Sequence, residues 1–223
     1  MIDTVIVSGG NIQDDFALDF LEKLVKKCGR KNIRLVAADK GLEFFDMSGF
    51  VPDMAVGDFD SLSAIGKEYL RSLKETKIYR LKPEKDDSDT QSAVRYAVSD
   101  GAKEIILLGC LGTRMDHMLA NLGLLLLGKE MGVHISIVDQ YNYISLAADK
   151  TFLKKEEQWG NYVSFFALGG DVYGLTLKGF KYPLNGYRLS MKDSGLTVSN
   201  EIVEDTAQIT YDSGNLVMIM SRD

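Results

Sequence analysis

The sequence predicts an α/β domain followed by a smaller all-β domain, and three observations carry that prediction. Short apolar runs alternate with helix-period segments over the first 140 residues. The alternation stops there, and short runs punctuated by Gly, Asn and Asp take over. No Pro- or Ser-rich linker separates the halves, so they are expected to be two closely packed domains, 1–140 and 141–223. A chain of 223 residues is long enough to bury a core without disulfides or structural metal.

Each element has its own signal. "TVIVSG" (4–9) reads as a first strand rather than a signal peptide. "DDFALDFLEKLVKKC" (14–28) spaces its apolar residues as a helix does, with acids first and lysines last, as the helix dipole favours. Strands follow at 33–39, 53–58, 77–81, 104–109 and 134–139, and helices at 41–48, 61–75, 89–100 and 114–129. Strand–helix alternation at this interval requires crossovers, hence a mainly parallel sheet with helices on both faces. Beyond residue 140, "YNYISLA", "TFLK", "YVSFFAL", "VYGLTLK", "YRLSM", "GLTVSN", "AQITYD" and "NLVMIM" read as strands of an antiparallel sandwich or partial barrel.

Charge and composition narrow the function classes. A net charge of −6 argues against a general nucleic-acid binder. The longest apolar stretch, "MLANLGLLLLG", is too short to span a bilayer. Two distant cysteines, Cys28 and Cys110, are expected to be free thiols in a reducing, cytoplasmic setting.

In open α/β sheets, ligands collect at the carboxyl ends of the strands. There the sequence places "SGG" (8–10), "ADKG" (38–41), "GDFDS" (57–61), "KDDSD" (85–89) and "GCLGTRMDH" (109–117). Gly9, Gly10, Gly109 and Gly112 sit between strand and helix, either as simple tight turns or as loops that offer N–H groups to an anion, with Arg114 adjacent. Asp58 and Asp60 would point the same way on an extended chain, and Asp86 and Asp89 span one helical turn. Helix capping could use Asp60 or Ser61, and Asp86, Asp87 or Ser88. Capping needs one residue per helix, however, whereas Asp39, Asp58, Asp60, Asp86, Asp89 and Asp116 crowd one rim, a set of hard oxygens suited to Mg²⁺ with a nucleotide. Of the two histidines, His117 adjoins the glycine loop, and His134 is expected inside the sheet or near a strand end. No Walker-type phosphate loop and no nucleophile–His–acid set occurs.

The ordered motifs "ADKG", "PDMAVGDFDS", "KDDSDTQSA", "GCLGTRMDHMLANL", "LKGFKYPL" and "GLTVSNE" resemble those of the thiamine pyrophosphokinase family over nearly the whole chain. The resemblance implies a nucleotide-binding catalytic domain, then a β-sandwich for thiamine binding and dimerisation. It implies pyrophosphoryl transfer from ATP to the thiamine hydroxyl with Mg²⁺, in a homodimer. It assigns Asp58, Asp60, Asp86 and Asp89 to the metal and catalysis. Gly9, Gly10, Asp39, Gly109, Gly112, Arg114, Asp116 and His117 would serve the nucleotide, and Tyr182, Ser199 and Asn200 the vitamin. The chain departs from the family pattern at Thr113 (often Gly), Ser88 (often Thr) and Tyr182 (often Trp). Tyr182 and Trp159 could equally be core aromatics. A pyrophosphokinase acting on a hydroxymethylpterin and a non-catalytic nucleotide or thiamine sensor are the alternative readings.

Overall fold

The computed structural model describes every residue except Pro83, Lys85 and Thr113, and the side chain of Ser194. The chain divides into two compact units, Met1–Gln140 and Tyr141–Asp223.

In the first unit, β1 (Thr4–Val7), β2 (Arg34–Ala38), β3 (Met54–Gly57), β4 (Lys77–Arg80), β5 (Glu104–Leu108) and β6 (His134–Val138) alternate with α1 (Asp14–Cys28), α2 (Leu42–Ser48), α3 (Ala64–Ser72), α4 (Asp89–Ser99) and α5 (Met115–Glu130). The strands pair in parallel in the order β4-β3-β2-β1-β5-β6. β1 through β4 step one way, and the chain then crosses back to lay β5 on the other side of β1. Right-handed crossovers therefore put α1–α3 on one face and α4–α5 on the other. In keeping with this, α2 packs on α3 and α4 on α5. β1, β3 and all but the first residue of β2 and β5 are buried, as strands covered on both faces must be. The order reverses between β1 and β5, and the carboxyl ends of those strands flank the topological switch point.

Helix boundaries differ from the sequence expectation at one instructive place. α3 begins at Ala64, and its cap is Ser63, whose hydroxyl accepts from the Gly66 N–H at 3.1 Å. Neither Asp60 nor Ser61 caps it. Ser88 caps α4, accepting from the Gln91 N–H at 3.1 Å.

In the second unit, β7 (Asn142–Leu146), β13 (Leu216–Ser221) and β9 (Tyr162–Ala167) pair antiparallel, with β13 between the other two. A second sheet has the order β11-β10-β12-β8, from β8 (Lys150–Lys154), β10 (Val172–Lys178), β11 (Leu184–Leu189) and β12 (Thr206–Thr210). Phe165, Leu175, Leu177, Leu189, Ile209, Leu216 and Met218 from both sheets share one core, the signature of a sandwich. "GLTVSN" is not a strand. Met191–Leu196 form a 3-10 helix, and Asn200 makes only an isolated bridge with Val163. Glycine and small polar residues there favour turns.

Candidate active site

The two glycine turns meet at the switch point. The Gly10 N–H donates to the Gly109 carbonyl at 2.9 Å, and a Cβ on Gly10 would lie 2.2 Å from that oxygen. Gly109 itself has φ +67°. No larger residue fits Gly10, and an L side chain at Gly109 would be strained. Beside them is a cavity of about 730 Å³. Gly9, Gly10, Asp39, Asp89, Gly109, Gly112, Arg114 and His117 of the sequence-derived candidates line it. Both α4, through Ser88–Thr90, and α5, through Arg114 and His117, begin at its wall, so two helix N-termini supply partial positive charge there.

Sequence reasoning assigned no role to Ser8, Lys40, Thr90 and Asn121, which also line the cavity, nor a site role to Ser61 and Cys110. Lys40 and Ser61 were within reach, since each adjoins an aspartate in a quoted motif. The Ser8 and Thr90 hydroxyls pair at 2.5 Å across 82 positions, a contact no local pattern reveals. Burial pushes the Cys110 thiol up to about 12.

Asp58 and Asp60 do converge, but not by strand alternation. Phe59 has φ +62°, a left-handed conformation rarely taken by a bulky residue. The Asp60 N–H turns back onto Asp58 Oδ1 at 3.2 Å. Burial of the Phe59 ring anchors the turn, and Arg80 lies over that ring at 5.5 Å from its centroid. Asp39 is also left-handed, at φ +48°. A Cβ on Gly57 would lie 3.0 Å from Asp39 Cα, so glycine lets the ends of β2 and β3 close together. The result is a triad: one carboxylate oxygen each from Asp39, Asp58 and Asp60 lies within 4.8 Å of the others. Ser61 Oγ donates to Asp39 Oδ2 at 2.5 Å. Asp39 Oδ1 is buried and has no hydrogen-bond partner among the described residues. Three clustered carboxylates, one of which also carries a buried oxygen without a hydrogen-bond partner among the described residues, fit a Mg²⁺ ion.

The remaining candidates fall elsewhere. Asp86 is exposed, and neither it nor Asp89 joins that triad among the described residues. Asp116 is held by Arg114 through Nη2–Oδ2 at 2.5 Å and Nε–Oδ1 at 3.2 Å, and the Arg114 hydrogen bond pulls its carboxyl below the usual range. Thr113 lies outside the described residues, as does Lys85 of the "KDDSD" run. His134 is exposed at the start of β6, its Nδ1 3.2 Å from Glu104 Oε2, at the opposite end of the strands from the cavity.

In the second unit, the ring-bearing Tyr182 is 53% exposed and Ser199 is exposed with φ +55°. Asn200 is buried, and its side chain serves the fold. Its Oδ1 accepts from the N–H groups of Tyr182 and Glu201, both at 3.0 Å, and its Nδ2 donates to the Tyr182 carbonyl at 2.8 Å.

Comparison with known proteins matches both units. The family model for the thiamin pyrophosphokinase catalytic domain matches residues 25–137, and that for the thiamin pyrophosphokinase vitamin B1 binding domain matches residues 150–216. A curated thiamine pyrophosphokinase of Bacillus subtilis is 30% identical over 188 residues, covering 84% of this chain and 87% of that protein. The crystal structure of thiamine pyrophosphokinase from Bacillus subtilis aligns with a TM-score of 0.84 at 27% identity, over 99% of each chain. That of thiamin pyrophosphokinase from Geobacillus thermodenitrificans aligns at 0.82 and 30%, over 100% of this chain and 98% of that one. Matched in both units, in sequence and in fold, the chain belongs to the thiamin pyrophosphokinase family of ATP-dependent transferases that produce thiamine diphosphate.

Proposed function

We propose that this chain transfers the terminal pyrophosphoryl group of ATP to the hydroxyethyl oxygen of thiamine, releasing AMP, with the first unit holding the nucleotide and the second the vitamin. The observation that carries this reading is the acidic triad of Asp39, Asp58 and Asp60 beside a glycine-walled cavity met by two helix N-termini. Asp39, Asp58 and Asp60 would hold Mg²⁺. The chemistry that a bound Mg²⁺ supplies is charge neutralisation on the polyphosphate, which such transfers need more than covalent help. The N–H groups of the Gly9–Gly10 and Gly109–Gly112 turns, with Arg114 and His117, would orient the phosphates. Asp116 would keep the Arg114 guanidinium in place. Asp89, the first residue of α4, and Asp86, three residues before it, remain the second acidic pair that would orient the polyphosphate. Tyr182 would stack on a ring of the vitamin beside Ser199, and Asn200 would act by holding Tyr182. A homodimer is part of this reading. So is a cytoplasmic location, which the two free thiols support. Among the described residues no helix is long and apolar enough to cross a membrane.

Incubation with ATP, Mg²⁺ and thiamine, followed by separation of nucleotides and thiamine species, tests the reading. AMP and thiamine diphosphate in equal amounts are expected. ADP with thiamine monophosphate would refute the transfer unit. Turnover of a hydroxymethylpterin in place of thiamine would refute the acceptor, and tight binding without turnover would leave a sensor.

A further inference from the structure

The exposed ring of Tyr182 already has a cation beside it. Lys181 Nζ lies over that ring at 5.6 Å from its centroid. An ammonium in that position repels any second cation brought to the ring. Its charge is countered at close range: Glu201 Oε1 is 2.6 Å from Lys181 Nζ. The backbone sets this pairing. Phe180 bridges Ile202, the Lys181 N–H donates to the Glu201 carbonyl at 2.9 Å, and Asn200 grips Tyr182 at both N–H and C=O. Lys181, Tyr182 and Glu201 are therefore held in fixed register on one short antiparallel contact.

We propose that Glu201 is a specificity-determining residue: by neutralising Lys181 beside the Tyr182 ring, it makes that ring acceptable to a positively charged aromatic substrate. The inference rests on the reading above, in which Tyr182 stacks on thiamine, whose thiazolium carries a permanent positive charge. Cations favour aromatic faces when no competing charge opposes them. With Glu201 neutral, the ammonium stands unpaired where the thiazolium must approach.

The test compares thiamine with its neutral isostere, in which a thiophene replaces the thiazolium. Binding and steady-state constants for both are measured on the parent protein and on Glu201→Gln, Lys181→Met, the double variant and Tyr182→Ala. Glu201→Gln is expected to weaken thiamine roughly three-fold, the order set by two like charges in water at the 5.6 Å that separates Lys181 Nζ from the ring centroid, and to leave the thiophene analogue unchanged. The loss should fall in KM with kcat unchanged, shrink as salt is raised, and vanish in the double variant. Equal weakening of both ligands, or no weakening of thiamine, overturns the proposal. Tyr182→Ala separates the two levels. If it weakens both ligands while Glu201→Gln shows no charge selectivity, only the present inference fails. If it affects neither ligand, the stacking reading fails and takes this inference with it.

Discussion

Replacing Gly10 by alanine tests the geometry on which the cavity depends. The new Cβ would sit 2.2 Å from the Gly109 carbonyl oxygen and 3.1 Å from its carbon. A carbon–oxygen contact settles at roughly 3.3 Å or beyond, so the two turns must separate by about 1 Å. The obstacle is backbone, and it cannot rotate away as a side chain would. Overpacking of this kind costs about 1–3 kcal/mol, which for a chain of this size lowers Tm by roughly 2–12 °C. The same displacement opens the hydrogen bond from the Gly10 N–H to Gly109 and moves two walls of the cavity. A misplacement of about 1 Å can cost roughly 100-fold in rate. Differential scanning calorimetry and kcat/KM for ATP are the assays. Gly123→Ala is the control: it lies in α5, a Cβ there meets nothing within 4 Å, and replacing glycine inside a helix should stabilise by about 1 kcal/mol with activity retained. A Gly10→Ala protein with parental Tm and kcat/KM would refute the argument.

Two further outcomes follow from the same site. Ser61→Ala removes the hydrogen bond that fixes Asp39 Oδ2, and Mn²⁺ affinity, read from the electron paramagnetic resonance of free Mn²⁺, should fall by about ten-fold. An unchanged affinity would mean that Asp39 needs no such support. Cys110 keeps its proton to about pH 12 when folded, against 9 for an ordinary thiol. The folded state therefore holds one more proton than the unfolded between those values, and this contribution to stability is complete below pH 9 and lost as pH rises towards 12. Denaturant titrations should show the parent losing up to about 1.4 kcal/mol per pH unit more than Cys110→Ala over that window, and native Cys110 should resist iodoacetamide at pH 8.

Much of this molecule was legible in the sequence because its signals are local. The period of "DDFALDFLEKLVKKC" predicts α1 to the residue, since one face of a helix must be apolar and its charged ends must suit the dipole. Alternating strands and helices imply parallel pairing, and parallel pairing alone puts the loops after β1, β2, β3, β4 and β5 on one rim. Hence the sequence alone assigns the glycines and Asp39, Asp58, Asp60 and Asp89 to one region. The handover to short strands near residue 140 is visible for the same reason, a change of hydrophobic period.

What only the tertiary structure decided is how those residues face one another. An extended chain would have aimed Asp58 and Asp60 alike by alternation. Instead the core takes up the Phe59 ring and forces a left-handed turn, a cost that burial offsets and that no local propensity announces. Asp39 enters the triad because Gly57, 18 positions further along the chain, allows its backbone to approach. Ser63 displaces Asp60 and Ser61 from capping because α3 starts later than its apolar pattern suggests, which leaves Ser61 to hold Asp39. Asn200 sits inside, satisfying the backbone of Tyr182 and Glu201, because a buried N–H or C=O must find a partner and the amide supplies both kinds. Period and composition depend on neighbours along the chain, and the sequence determines them alone. The direction of a side chain in a site depends on what the rest of the fold leaves room for, and that is decided only when the chain has packed.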